Sequence, residues 1–161
     1  MTPDSFSIRL GTAKDIPAVH RLICELAEFE RAPHEVTNTP EQMLVDGFGP
    51  TPVYHMWVAE IHEEVVGMAI CYTRYSTWKG PMLYLEDIIV SNLYRNLGIG
   101  KSLFETCMRQ CIEAKFAGMI WQVLDWNVDA IRFYKRFNAE LDNGWINGKI
   151  MRSEIERHFL S

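Results

Sequence analysis

The chain has 161 residues and a formal net charge of −5; 48% of its residues are hydrophobic and 23% charged. That length and balance suit one domain around one core and exclude disordered and fibrous classes. No apolar run approaches the roughly 20 residues needed to cross a bilayer, and the acidic balance disfavours a nucleic-acid face while suiting a small cationic substrate.

In chain order, Phe6 to Leu10 reads as a strand. Thr12, with Asp15 three residues on, opens a helix in which Ile16, Val19, Ile23, Leu26 and Ala27 recur at helical spacing to about Glu30. Ala32-Pro33-His34 breaks it, and Thr39 caps a second helix with Pro40 at its first position, stopping near Gly47 and Gly49. Tyr54 to Ile61 and Val65 to Tyr75 flank a charged turn at His62-Glu63-Glu64, and a third strand, Leu83 to Val90, follows a Gly80-Pro81 break. An antiparallel meander is the simplest arrangement of these strands. A long helix runs from about Gly98 to Phe116, then a strand from Met119 to Leu124 and a short helix from Val128 to Phe137. Asn143-Gly144 is a turn signal between Ala139–Asp142 and Trp145–Ile155, so a closing hairpin is expected. The fold class is α/β, in the order β-α-α-β-β-β-α-β-α-β-β. Helices cover both faces of a mixed sheet, and the strands flanking the long helix are parallel.

Two bulk features set the compartment. Met1 to Ser5 has neither a basic nor an apolar leader character, which points to the cytoplasm. Cys24, Cys71, Cys107 and Cys111 show no CxxC spacing and read as reduced, mostly buried thiols. His20, His34, His55, His62 and His158 show no triad or ligand spacing, and no metal is expected.

The chemistry concentrates after Val90. A strand ending in Ile88-Ile89-Val90 leads through Arg95-Asn96-Leu97 into Gly98-Ile99-Gly100-Lys101 at a helix start. Such a turn presents backbone N–H groups beside a positive helix end, which suits a phosphate, and Arg95 and Lys101 add charge on either side. A P-loop would need glycine at Arg95, and a dinucleotide fingerprint would need glycine at Leu103. Both patterns fail. Glycines that merely turn the chain would look the same.

A second motif follows the strand ending near Leu124: Asn127-Val128-Asp129-Ala130, then Phe133-Tyr134. Asn127 can cap the helix, and Ala130 leaves room for a close ligand. Tyr134 lies about two turns past Asn127, so both can face one groove. As core residues, Phe133 and Tyr134 would be unremarkable.

Together, Arg95-x-x-Gly98-x-Gly100 and Asn127-x-x-Ala130-x-x-Phe133-Tyr134 resemble the two cofactor motifs of the GNAT N-acetyltransferase superfamily. The resemblance implies the GNAT fold, with Leu83–Val90 and Met119–Leu124 splayed to admit the acyl-pantetheine arm of acetyl-CoA. It implies that Ile88, Ile89 and Val90 hold the pantetheine and polarise the thioester. Residues 95–101 hold the pyrophosphate, Asn127 to Ala130 complete the cofactor site, and Tyr134 protonates the departing thiolate.

Phe29-Glu30, Asp46-Gly47-Phe48-Gly49, Tyr84-Leu85-Glu86-Asp87, Asp125-Trp126-Asn127 and Gly144-Trp145 further resemble the spermidine/spermine (diamine) and thialysine N-acetyltransferase family. That likeness implies Glu30 and Glu86 as acceptor carboxylates, Phe29 as a groove wall, and Ile120, Trp121 and Gln122 beside the acceptor. It also implies a homodimer, for which Trp145, Ile146 and Ile150 supply apolar surface. Asn143 departs from the pattern, because the family places an acid just before Gly-Trp. One charge is missing there, which favours a shorter amine, such as a diamine or a lysine-like chain. Glu86 is the candidate base and Asp87 a structural acid, with direct transfer in a ternary complex because no cysteine falls on a motif. Alternatives are the same fold acting on a peptide N-terminus or an aminoglycoside, or a non-catalytic acyl-CoA-binding module.

Overall fold

The computed structural model describes residues 5–160; Met1–Asp4, on which the leader reading rests, lie outside them. Contacts group the chain into two compact units, one ending at Gln122 and one beginning at Val123.

The first unit is a five-stranded sheet with two long helices. Its strands are β1 (Ser7–Leu10), β2 (His55–Ile61), β3 (Glu64–Ser76), β4 (Gly80–Val90) and β5 (Met119–Trp121), side by side in sequence order. β1 to β4 form the expected antiparallel meander, and β4 and β5 run parallel. β4 begins earlier than expected because Gly80 and Pro81 already pair with Ser76 and Tyr75. The β2–β3 turn is His62-Glu63, both with positive φ, which is the hairpin turn whose twist matches its strands.

Side-chain alternation divides the core between the two faces. On one face α1 (Ile16–Phe29) buries Ile16, Val19 and Leu22 against Met56, Val58, Met68, Ile70 and Ile89. On the other lies α3 (Ile99–Glu113), where Cys107 Sγ sits 3.6 Å from Cys71 Sγ. Gln110 Oε1 there accepts from Trp57 Nε1 at 2.9 Å and lies 2.8 Å from His55 Nε2. α2 (Pro40–Phe48) starts as expected, with Thr39 Oγ1 accepting from the Gln42 N–H at 3.2 Å. All four cysteines are free, and three are buried.

The second unit holds α4 (Val128–Lys135) and α5 (Arg152–Leu160). Here the expected closing hairpin does not form. Residues 139–151 carry no strand, and α5 stands where the second strand was expected to end. A strand is stable only beside another, and among the described residues no strand is assigned in this segment. Trp145 is 76% and Ile146 98% exposed. Beyond it, Arg152–Glu156 and Arg157–Glu154 pairs at one-turn spacing favour helix.

The start of α1 is pinned to the sheet by charge. Asp15 accepts from both terminal nitrogens of Arg9 at 2.8 Å, and from the Thr12 N–H at 2.7 Å. Arg9 also reaches Glu60 on β2 through Nε at 2.9 Å. The hydrogen bonds from Arg9 hold the Asp15 carboxyl down at about 2. A depressed carboxyl contributes stability above its unfolded value, and that stability is lost as pH falls through about 2. From the ordinary value of 3.8, the contribution is on the order of 2 kcal/mol. Asp15→Asn should therefore lower the unfolding free energy by about that amount at neutral pH and flatten its fall between pH 4 and 2, as read by urea titration. An unchanged acid limb would show that the Arg9–Asp15 pair contributes nothing net.

Candidate active site

The functional residues of the first unit gather where β5 leaves β4. The parallel ladder pairs Leu83 with Met119, Tyr84 with Ile120 and Leu85 with Trp121, and then ends. β4 continues from Glu86 to Val90 paired only with β3. Its other edge carries no ladder there, the feature into which an extended ligand adds as a strand, although Val90 O accepts from Arg95 Nε at 3.4 Å. β5 is three residues long rather than the six expected, so Gln122 lies just past it. Trp121 packs edge-on against Phe104 at 5.3 Å.

A bulge sits at the point of divergence. Ile70 pairs with Asp87 and Cys71 with Leu85, leaving Glu86 without a partner on β3. An inserted residue shifts the alternation. Leu85 lies with Cys71 toward α3, whereas Asp87 and Ile89 lie with Ile70 and Met68 toward α1. Glu86 is exposed, and its Oε2 accepts from the Tyr72 hydroxyl at 2.9 Å.

Asp87 is the residue that motif reading undervalues. Burial pushes its carboxyl up to about 7, and the neighbouring charges of Glu86 and then Glu30 push the same way. Glu30 caps the end of α1, its N–H bonded to Leu26 O at 2.9 Å, and partial burial raises its carboxyl too. Asp87 thus lies within electrostatic reach of both Glu86 and Glu30. The bulge is the signal that motif spacing lacks: from strand alternation alone, Asp87 would face α3, away from Glu30.

The loop after β4 is the one in which the phosphate site is expected. A 3-10 turn, Asn92–Tyr94, is tied back by the Asn92 N–H to Glu25 Oε1 at 2.9 Å. Asn96 and Gly98 then both take positive φ, 65° and 83°. The first helical bond of α3 runs from Ser102 N–H to Gly98 O at 3.0 Å, so the N–H groups of Ile99, Gly100 and Lys101 lie ahead of that ladder. Gly98 is needed for its backbone angle. Gly100 is not, and a Cβ there would meet nothing closer than Val90 Cγ2 at 3.7 Å. The protein itself does not require glycine at 100. A backbone that must lie against a phosphate does.

Arg95 is exposed. Its guanidinium lies 5.6 Å from the Phe29 ring, and its Nε donates to Val90 O at 3.4 Å. The cofactor loop and the expected acceptor wall are therefore contiguous. Lys101 points instead to Glu105, at 3.8 Å.

In the second unit, Asn127 caps α4 as expected, with Oδ1 accepting from the Ala130 N–H at 3.2 Å. Val128 and Asp129 form the exposed first turn, and Arg132 pairs with Asp129 at 3.4 Å. Tyr134 is 6% exposed and meets Phe133 edge-on at 5.3 Å. Asn143 is exposed in the irregular 139–151 segment. Among the described residues no group of three acid, histidine or cysteine side chains could hold a metal ion, and no helix is long and apolar enough to cross a membrane.

An open strand edge, a glycine cradle at a helix start and a following capped helix are the parts of a CoA-dependent acyltransferase. Residues 18–139 match the family described as Acetyltransferase (GNAT) family, and the chain belongs to that family. It is an acetyl-CoA-dependent amine N-acetyltransferase. The chain is 39% identical to thialysine N-epsilon-acetyltransferase of Bos taurus over 83% of each chain. It is 36% identical to the Mus musculus enzyme of the same name, over 92% of this chain and 96% of that one. An aminoglycoside N-acetyltransferase solved with CoA shares the fold at TM-score 0.73 and 16% identity, over 92% of this chain and 96% of that one.

The raised Asp87 carboxyl has a stability signature. A carboxyl whose folded value lies above its unfolded one contributes stability at low pH that is lost as pH rises. For Asp87 the loss spans the interval from 3.8 to about 7. Asp87→Asn should therefore gain stability over wild type at pH 8 and lose that advantage below pH 4, with the difference changing steadily between pH 4 and 7. A difference that stays constant with pH, read from urea midpoints, would leave Asp87 an ordinary carboxylate.

Proposed function

We propose that the chain moves the acetyl group of acetyl-CoA to a primary amine of a small diamine, polyamine or lysine-like acceptor. The observation that carries this reading is the gathering of Glu30, Glu86 and Asp87 beside the open edge of β4. Clustered carboxylates suit a cationic chain, and they argue against a peptide N-terminus more than against an aminoglycoside. The thialysine N-epsilon-acetyltransferases to which the chain is similar point to the smaller acceptor. The family match spans residues 18–139, which supports one acetyltransferase domain across both compact units.

In this reading the pyrophosphate rests on the N–H groups of residues 98–101, with Arg95 and Asn96 beside it. The pantetheine runs along the free edge of Ile88, Ile89 and Val90, with Asn127 to Ala130 completing its site. A β4 N–H polarises the thioester carbonyl. Phe29 walls the acceptor groove opposite Ile120, Trp121 and Gln122, while Glu30 holds a distal ammonium. Glu86, through a water, accepts the proton that leaves the attacking amine. The amine nitrogen bonds to the carbonyl carbon, the carbon–sulfur bond breaks, and the Tyr134 hydroxyl protonates the departing thiolate. Transfer is direct, since the buried Cys71 and Cys107 are unsuited to carry an acyl group. Neutral Asn143 favours a short acceptor over spermine.

A panel of diamines, polyamines, thialysine, aminoglycosides and peptides, read by free-thiol release from acetyl-CoA, tests the substrate class. Turnover confined to short diamines and lysine-like amines is expected; silence on all of these would remove the reading. Tyr134→Phe should lower kcat on the order of 100-fold with acetyl-CoA affinity retained. Glu30→Gln should raise the amine KM alone.

Two further readings belong with this one. Free thiols suit a reducing compartment, so the cytoplasm is the expected location. Trp145, Ile146 and Ile150 are exposed apolar side chains in the irregular 139–151 segment, so a homodimer is expected to cover them. Sedimentation should give twice the chain mass, and Trp145→Asp should shift it toward monomer; a monomeric wild type would rule the dimer out.

A further inference from the structure

We propose that Glu25 is a positioning residue for the donor: its carboxylate, on α1, sets the start of the loop that receives the CoA pyrophosphate. The inference rests on the reading of residues 95–101 as that loop and goes beyond it.

Leu93 is 88% and Leu97 44% exposed, so apolar burial does little to anchor residues 92–97. Polar ties hold them instead. The Ser91 N–H donates to Val66 O at 2.8 Å, and the Tyr94 N–H to Ser91 O at 2.9 Å. Ser91 gives the 92–94 turn no side-chain cap. Glu25 supplies one from 67 residues away, its Oε1 accepting from the Asn92 N–H at 2.9 Å. The Tyr94 hydroxyl donates to Glu64 Oε2 at 3.0 Å, but Glu64 is exposed whereas Glu25 is half-buried.

Glu25 and Phe29 lie four apart on α1 and so share one face of that helix. Glu25 takes the Asn92 N–H, and the Phe29 ring lies 5.6 Å from the Arg95 guanidinium. Two successive turns of one helix therefore meet the two ends of residues 92–95. At the far end of the loop Ile99 is buried with α3. α3 thus fixes one side of the phosphate loop, and Glu25 with Phe29 fixes the side that carries Arg95 and Asn96. The sign of the charge says how Glu25 acts. A carboxylate near a pyrophosphate repels it, so its field does not help the donor. What it gives is the place of the Asn92 N–H, and an uncharged side chain of the same shape would give that equally.

The test compares acetyl-CoA with S-acetylpantetheine, which lacks the pyrophosphate, using a turned-over amine from the panel above. The ratio of their kcat/KM values is taken within one enzyme preparation, so loss of folded protein cancels. Glu25→Ala should lower the ratio about tenfold, through a higher acetyl-CoA KM with kcat retained. Glu25→Gln keeps an acceptor for the Asn92 N–H and should hold the wild-type ratio or exceed it. Asn92→Pro deletes that N–H at a turn start suited to proline, since Ser91 has ψ 141°. Adding Glu25→Ala to it should lower the ratio no further. ADP, which carries the pyrophosphate without the pantetheine, should inhibit Glu25→Ala about tenfold more weakly than wild type. A ratio or an ADP inhibition constant that Glu25→Ala leaves unmoved overturns the proposal. So does a Glu25→Gln ratio as low as that of Glu25→Ala, or tighter donor binding in both variants. Gly100→Ala separates this inference from the loop reading: its Cβ clears the protein but would meet a phosphate, so its ratio should fall as well. A Gly100→Ala ratio equal to that of wild type removes the pyrophosphate reading, and this proposal with it.

Discussion

The constraint on which the rest of this structure depends is the early end of one parallel ladder. After Leu85 the backbone of β4 loses β5 as a neighbour but keeps β3. An edge inside a sheet is normally satisfied by another strand or covered. Here the continuation of β4 leads directly into the glycine loop and α3. The strand that would otherwise fill the gap is therefore replaceable by something extended and polar on both sides, and a pantetheine arm with its two amides has that character. Arg95 on that loop lies 5.6 Å from the Phe29 ring at the end of α1, so the loop and the helix end are neighbours.

The bulge at Glu86 gives that strand its chemistry. Without it, strict alternation would send residues 83, 85, 87 and 89 to the α3 side together. With it, Leu83 and Leu85 stay in the α3 core, while Asp87 turns toward the α1 side. Asp87 thus joins Glu30 and Glu86 in a neighbourhood where burial and like charge both disfavour ionisation. A cationic amine placed there would relieve that cost.

The cofactor half of the site is legible in the amino-acid sequence, because phosphate binding at a helix start uses short local patterns. Arg95, Gly98 and Gly100 lie close together along the chain, and Asn127 caps α4 through a contact spanning three residues. The meander of β2 to β4 is equally legible, since short turns join those strands. What the sequence hides is whatever depends on register between distant residues. The bulge is defined by Ile70 and Cys71 on another strand, so it leaves no trace in the Tyr84–Asp87 motif. The closing hairpin is a further miss: among the described residues no strand is assigned in 139–151.

Charge placement binds these observations together. The chain is only mildly acidic, with 21 acids against 16 lysines and arginines, and its sorting matters more than its sum. Acids face the α1 side of β4, whereas Arg95 and Lys101 flank the helix start that would meet a pyrophosphate. Arg95 lies between these zones, touching the Phe29 ring on one side and the Val90 carbonyl on the other. A guanidinium can rest on an aromatic face and still present its edge to an anion. The two substrates carry opposite charge, and a single strand separates the groups that suit each. That separation, more than any one side chain, lets a fold of this size hold an anionic donor and a cationic acceptor close enough to react.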